Sequence, residues 1–169
     1  MQKVLPVKTI CVVGDHGVGK SSIIMRYCQD KVTPIPVAIS ETLGVTTTRT
    51  YTEAVEIIFR EVAIELGKVT DCEFQNNYAY IVVADFTSVE SLKNVETWIN
   101  TFKELHGEIV PFQILINKTD IEATYNCTKM LCLLESRYNY DKDTLYYVST
   151  VDPSRIGELR YIIDRLLAS

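Results

Sequence analysis

The chain has 169 residues, 17 basic against 22 acidic side chains (formal net charge −5), and 47% hydrophobic residues. This balance fits one soluble domain with a core of its own, and it excludes the strongly basic surface on which non-specific binding to nucleic acid or anionic membrane depends. The five cysteines (Cys11, Cys28, Cys72, Cys127, Cys132) include no C-x-x-C pair, so neither a disulfide framework nor a zinc site is implied and a reduced, cytoplasmic setting suits them.

The start, MQKVLPVKTI, has no signal-peptide core, and no apolar run reaches the length of a membrane span. Val7–Val13 reads as the first strand, buried on both faces. It runs directly into GDHGVGKSS, Gly14 to Ser22, which matches G-x-x-x-x-G-K-[ST] with Gly14, Gly19, Lys20 and Ser21 in the defining places. Glycines let successive amides of such a loop (Gly14, Asp15, His16, Gly17, Val18, Gly19) turn inward on a phosphate, and the following helix adds its positive N-terminal end. Lys20 reaches the terminal phosphates, the Ser21 hydroxyl can ligate Mg²⁺, and Ser22 continues the first helical turn.

Gly44–Arg60 is rich in Thr, Val and Ile and predicts two antiparallel strands turning near Thr52–Ala54. Ala79–Ala84 is a buried strand, and Ser88–Leu105 an amphipathic helix burying Leu92, Val95, Trp98, Ile99, Phe102 and Leu105, with Thr87 and Glu90 placed for a capping box. Phe112–Ile116 is the next strand and leads into Asn117-Lys118-Thr119-Asp120. An Asn-Lys-x-Asp at the end of a parallel strand suits guanine: the Asp120 carboxylate can accept from N1–H and the exocyclic amine together, a donor pair that adenine lacks. Leu145–Val148 is a last strand, and Asp152-Pro153 open a helix whose stripe is Ile156, Leu159, Ile163 and Leu166. Strands separated by such helices form βαβ units around a parallel sheet, here one α/β domain over residues 1–169.

The phosphate loop, Thr42-Leu43-Gly44-Val45, the stretch ADFTSVESLKNVETWI and NKTD together resemble the Ras superfamily of small GTPases, most closely its Rab-like branch, over nearly the whole chain. The resemblance implies a P-loop NTPase fold with a six-stranded, mostly parallel sheet, one antiparallel edge strand and about five helices. It implies GTP or GDP with Mg²⁺ as cofactors, Ser21 and Thr42 on the metal, and Thr42 also on the γ-phosphate. Asn117, Lys118 and Asp120 would hold guanine, joined by Ser149 and Thr150 from the last loop. Partners would be effectors or regulators meeting switch I and the hairpin edge at Thr46–Tyr51.

The pattern breaks at switch II. The family's Asp-x-x-Gly-Gln is replaced by residues of FREVAIELGKVTDCEFQNN, in which Glu61, or Glu65 if the hairpin is longer, stands for the Asp; neither choice supplies a Gly at the right offset with a Gln after it. His16 sits where a small residue is usual, Val32 near the place of an aromatic that stacks on guanine (a role open to Tyr27), and Val151 where a lysine often follows. The chain stops at RLLAS with no terminal Cys, so no prenyl anchor is visible and any membrane contact would need a trimmed tail. The expectation is a guanine-nucleotide switch or effector-recruiting module with weak or partner-dependent hydrolysis and no assigned catalytic residue, the usual Gln being absent from its place. The alternative is a pseudo-GTPase interaction module that binds nucleotide constitutively or not at all.

Overall fold

Strand-forming runs and amphipathic segments alternate along the chain, and the fold forms as each buries its apolar side against the others. The structure is a computed structural model, and it describes residues 4–29, 38–42, 44–69, 74, 76–107, 109–139 and 144–169. Its strands are β1 (Val7–Val13), β2 (Ala38–Thr42), β3 (Val45–Tyr51), β4 (Glu56–Val62), β5 (Ala79–Asp85), β6 (Phe112–Asn117) and β7 (Leu145–Tyr147). Its helices are α1 (Lys20–Gln29), α2 (Val89–His106), α3 (Tyr125–Tyr138) and α4 (Ile156–Ala168), with a 3-10 turn at Pro153–Arg155. The expected doubly covered α/β sheet is therefore present, with four α-helices among the described residues against the five or so implied by the resemblance.

The sheet runs β2-β3-β4-β1-β5-β6-β7. Pairing is parallel from β4 through β1, β5 and β6 to β7, and β3 is the one strand that runs against the rest. The turn between β3 and β4 falls where Thr52 accepts from the Ala54 and Val55 amides, at the place the sequence marks for it. Side chains alternate across the strands and divide the core into two layers. Ile10, Val12, Ile57, Ile81 and Val83 pack under α1 and α4, and Cys11, Val13, Val82, Ala84 and Ile114 pack under α2 and α3. β5 is buried at every position, as a central parallel strand covered on both faces must be.

Four local expectations are corrected. The edge of β3 is not open: residues 38–42 form an additional outer strand that pairs with it from Thr42↔Val45 to Ala38↔Arg49, so Thr46–Arg49 have their backbone groups satisfied within the chain. Helix α2 is capped by Ser88, whose hydroxyl accepts from the Ser91 amide at 3.2 Å, while Thr87 is drawn away to the Asp85 carboxylate. Leu105 is 39% exposed and lies off the buried stripe. At the last helix Asp152 does cap, accepting from the Ser154 amide at 3.0 Å, but it caps the 3-10 turn that precedes α4.

Helix α3 has no counterpart in the sequence reading. It fully buries Cys127, Leu131 and Leu134, with Met130 and Tyr138 packed partly against the same core, and its N-cap Thr124 gives no strong signal in sequence.

Candidate functional site

Parallel pairing brings the C-terminal ends of β1, β4, β5 and β6 to one side of the sheet, in register through Val12↔Glu61 and Asp85↔Asn117. Ligands of open α/β sheets bind at such a row of strand ends. The loop Gly14–Gly19 leaves β1 there and enters α1 at Lys20, the strand–loop–helix context the motif requires.

The loop is held from three sides. Lys20 is 6% exposed, and its ammonium donates to Gly14 O at 2.8 Å and Asp15 O at 2.9 Å. Burial pushes the Lys20 pKa below its usual range, against the opposing fields of Glu61 and Asp15. From the end of β6, Asn117 Nδ2 donates to Val18 O at 3.0 Å and Lys118 Nζ to Gly17 O at 2.8 Å. Gly19 permits this approach, since a Cβ there would lie 2.3 Å from Asn117 Nδ2. From α2, Asn94 Nδ2 and Trp98 Nε1 both donate to the carboxylate of Asp15, at 2.7 and 3.2 Å.

The base-motif residues are also assembled. Lys118 pairs with Asp85 Oδ2 at 2.8 Å, and Thr87 donates to the other oxygen. Burial alone would raise the Asp85 carboxyl, but the Lys118 and Thr87 bonds outweigh it and hold the pKa below the usual carboxylate range. Asp120 is exposed, with Ser149 Oγ donating to its Oδ1 at 2.7 Å, and Thr119 ties the same turn to Val148 O at 2.9 Å. Thr150 follows half-buried and Val151 is 67% exposed. The buried Asn117 Oδ1 has no hydrogen-bond partner among the described residues.

Of the two acids considered for switch II, Glu61 is the one at the site. Ser21 Oγ lies 2.6 and 2.7 Å from its two carboxylate oxygens, while Glu65 is exposed and bound to Lys68 at 2.6 Å. Ile64 is half-buried, packs on the α2-side core, and would meet a Cβ at Gly44 at 3.2 Å. The adjacent Ala63 amide donates to Gly44 O at 2.9 Å, so the segments after β4 and before β3 are fastened together. Tyr27 cannot stack on a base: it is 2% exposed, packs edge-on to Phe59 and donates to Asp164 at 2.9 Å. Val32 lies outside the described residues, as do Leu43, Cys72 and the side chain of Thr42.

Between the loop, residues 63–66 and the start of α2 lies an open cleft of about 590 Å³, lined by Asp15, His16, Lys20, Ile64, Glu65 and Asn94 among others. His16 is exposed on its rim. The cleft's lining brings the buried Lys20 ammonium together with the acids Asp15, Glu65, Asp85 and Glu90. Sequence reasoning missed Asp85, Asn94 and the polar role of Trp98. The signal that could have found the last two is Asp15 itself, an acid in a loop whose motif suits anions, which calls for donors of its own.

Residues 9–120 match the family model described as Roc, the Ras of Complex domain of DAPkinase. The chain is 27% identical over 126 residues to Ras-related protein SEC4 of Candida albicans, covering 71% of this chain and 59% of that one. It is 27% identical over 124 residues to Ras-related protein Rab-11C of Dictyostelium discoideum, covering 68% and 53%. It is 28% identical over 122 residues to EF-hand calcium-binding domain-containing protein 4B of Homo sapiens, covering 67% of this chain and 16% of that one. The aligned region thus spans less than two thirds of each of these relatives. Among the described residues no helix is long and apolar enough to cross a membrane.

Proposed function

The chain belongs to the Ras superfamily of small GTPases, in its Rab-like form, and from that premise we propose that it binds GTP and GDP with Mg²⁺ as a switch or effector-recruiting module whose own hydrolysis is weak or partner-dependent. The observation that carries this is Lys20, a buried ammonium bonded to main-chain carbonyls, with no carboxylate in ion-pair contact among the described residues. A buried cation left in that state is stabilised by an anion, and the loop amides around it suit phosphate.

In this reading the amides of residues 14–19 and the Lys20 ammonium hold the phosphates, and Ser22 supports them from the first turn of α1. Asp120, kept oriented by Ser149, accepts from guanine; Asn117, Lys118 and Thr150 border the base. Ser21 and Glu61 fit a hard cation, two oxygen donors already within 2.7 Å of each other, and Thr42 would complete the set from β2. Bound there, Mg²⁺ would neutralise phosphate charge. Glu61 keeps the Ser21 hydroxyl oriented for that role.

Hydrolysis is where the chain departs from its relatives. Intact Ras-type sites turn over at about 10⁻⁴ to 10⁻³ s⁻¹ unaided, using a Gln that orients water. Here Ile64 stands three residues after Glu61, where the motif has its Gly, and Glu65 where it has its Gln, so turnover falls below that range. A partner would meet the outer edge of β2 in place of the covered β3. We read the protein as cytoplasmic, with any membrane contact peripheral.

The packing of Ile64 and the Ala63–Gly44 bond favour one second reading, a nucleotide-locked interaction module that does not switch. The deciding experiment identifies the nucleotide released on denaturing the purified protein, then loads GTP with Mg²⁺ and follows GDP. Guanine nucleotide with slow GDP appearance is the expected result. GTP intact after a day, with unchanged hydrogen exchange in 44–69 between GTP and GDP, would establish the second reading. An adenine nucleotide, or none taken up, would overturn both.

A further inference from the structure

An aspartate at the second position of a phosphate loop is an electrostatic liability. Its carboxylate lies well within a Debye length, about 8 to 10 Å, of any phosphate the loop amides hold, and like charges so placed weaken binding. In this chain the carboxylate is engaged elsewhere. Each oxygen takes one donor from α2: Oδ2 from Asn94 Nδ2 at 2.7 Å and Oδ1 from Trp98 Nε1 at 3.2 Å. The main-chain oxygen of the same residue takes the Lys20 ammonium at 2.9 Å. Asp15 therefore joins α2 to the lysine that would grip the phosphates.

The donors are well anchored. Asn94 and Trp98 are four apart on α2, hence on one face and one turn. Trp98 is 1% exposed, and the neighbouring Leu92, Val95, Ile99 and Phe102 are buried, so the helix presents the indole N–H from a fixed position. A neutral donor pair held this way satisfies a carboxylate without adding charge, and fixes the direction in which it points.

We infer that Asn94 and Trp98 are positioning residues of the phosphate loop, acting through Asp15 by holding its carboxylate on α2 and off the bound phosphates. This rests on the nucleotide-binding reading above and adds the device that makes an acidic loop compatible with it. Because Trp98 is the chain's one tryptophan, its emission also reports whether the tie is made.

The test measures GDP binding in Mg²⁺ by calorimetry for the wild-type chain, Asn94→Ala, Trp98→Phe, and each of these combined with Asp15→Asn. With the donors removed, Asp15 is free to turn toward the phosphates, and GDP binds about tenfold more weakly or worse at low salt. Adding Asp15→Asn, which removes the charge, brings affinity back to within about threefold of wild type, and raising the salt narrows the gap between the single variants and wild type. Trp98 emission shifts in Asp15→Asn alone. Single variants that bind as wild type, or a loss that Asp15→Asn does not relieve, would overturn the inference and leave α2 a purely structural neighbour. Should Trp98→Phe not fold, Asn94→Ala, at a half-buried position, decides alone. A wild-type chain that binds no GDP would overturn the nucleotide reading and this inference with it; a wild type that binds beside unaffected variants overturns only the latter.

Discussion

Replacing Gly19 with alanine tests the junction of the phosphate loop and the base motif without any nucleotide. The backbone there has φ +100°, and the new Cβ would lie 2.3 Å from Asn117 Nδ2, an atom that is part of a 1% exposed side chain. Left-handed strain costs about 1–2 kcal/mol. Moving Asn117 aside also breaks its 3.0 Å bond to Val18 O, worth about 1 kcal/mol, and strands buried polar groups at a further cost of about 1–3 kcal/mol. The loss comes to roughly 3–6 kcal/mol, a large part of the whole stability of a domain this size. Gly17 is the control: its φ is +78°, but a Cβ there meets nothing within 4 Å, so alanine costs only the strain, about 1–2 kcal/mol. Urea denaturation of the nucleotide-free proteins at pH 7 gives both values. A thermal scan should separate the two variants by several degrees, at about 2–4 °C per kcal/mol. Equal losses in the two variants would refute the reasoning, because they would show that Asn117 does not press on Gly19 as the geometry states.

Asp120→Asn replaces an acceptor with a group that repels one of guanine's donors, and guanine-nucleotide affinity by calorimetry should fall about tenfold or more, about 1.4 kcal/mol; unchanged binding would remove Asp120 from the base site. Glu61→Ala should make retention of bound GDP require at least about tenfold more Mg²⁺, while Glu65→Ala, whose acid is exposed and bound to Lys68, should behave as wild type; release rates in a Mg²⁺ titration check both. Asp85 has a folded pKa held below its unfolded value, so its contribution to stability is present above the ordinary carboxylate pKa of about 3.9 and is lost as pH falls through the lower folded value. Asp85→Asn should therefore flatten the acid limb of a melting-temperature profile below about pH 4 while lowering stability at pH 7.

The central elements were legible because their residues leave little choice. Ala79–Asp85 is apolar up to its last residue and Val7–Val13 apart from Lys8 and Thr9, and the strand boundaries fall within a residue of those read from sequence. Gly14–Ser21 was legible as a strand–loop–helix junction because its glycines fall at fixed offsets, and Asn117–Asp120 because it leaves directly from the end of a buried strand. What escaped notice depends on tertiary placement. Whether Glu61 or Glu65 faces Ser21 turns on where β4 ends, and strand ends carry no sharp signal. The outer strand β2 was hidden for a similar reason: its residues gain strand character only from β3 beside them. Tyr27, weighed as a base-stacking ring, is instead fixed in the core by Phe59 and Asp164, neighbours that no local pattern reveals.

Three of the bonds that shape the phosphate loop join partners far apart along the chain. Asn117 to Val18 spans 99 residues, Lys118 to Gly17 spans 101, and Trp98 to Asp15 spans 83. None of them can form while the N-terminal strand and α1 are a separate local unit, since each waits for β5, α2 and β6 to arrive and for the entropy of a long loop closure to be met. The loop can therefore be well formed in sequence and yet be among the last parts of the molecule to take shape. A ligand held jointly by residues 14–20 and 117–120 would stitch together halves that must separate when the domain opens. Its stabilisation would then be felt as slower unfolding more than as faster folding, so the lifetime of the folded chain would follow the time its ligand stays bound.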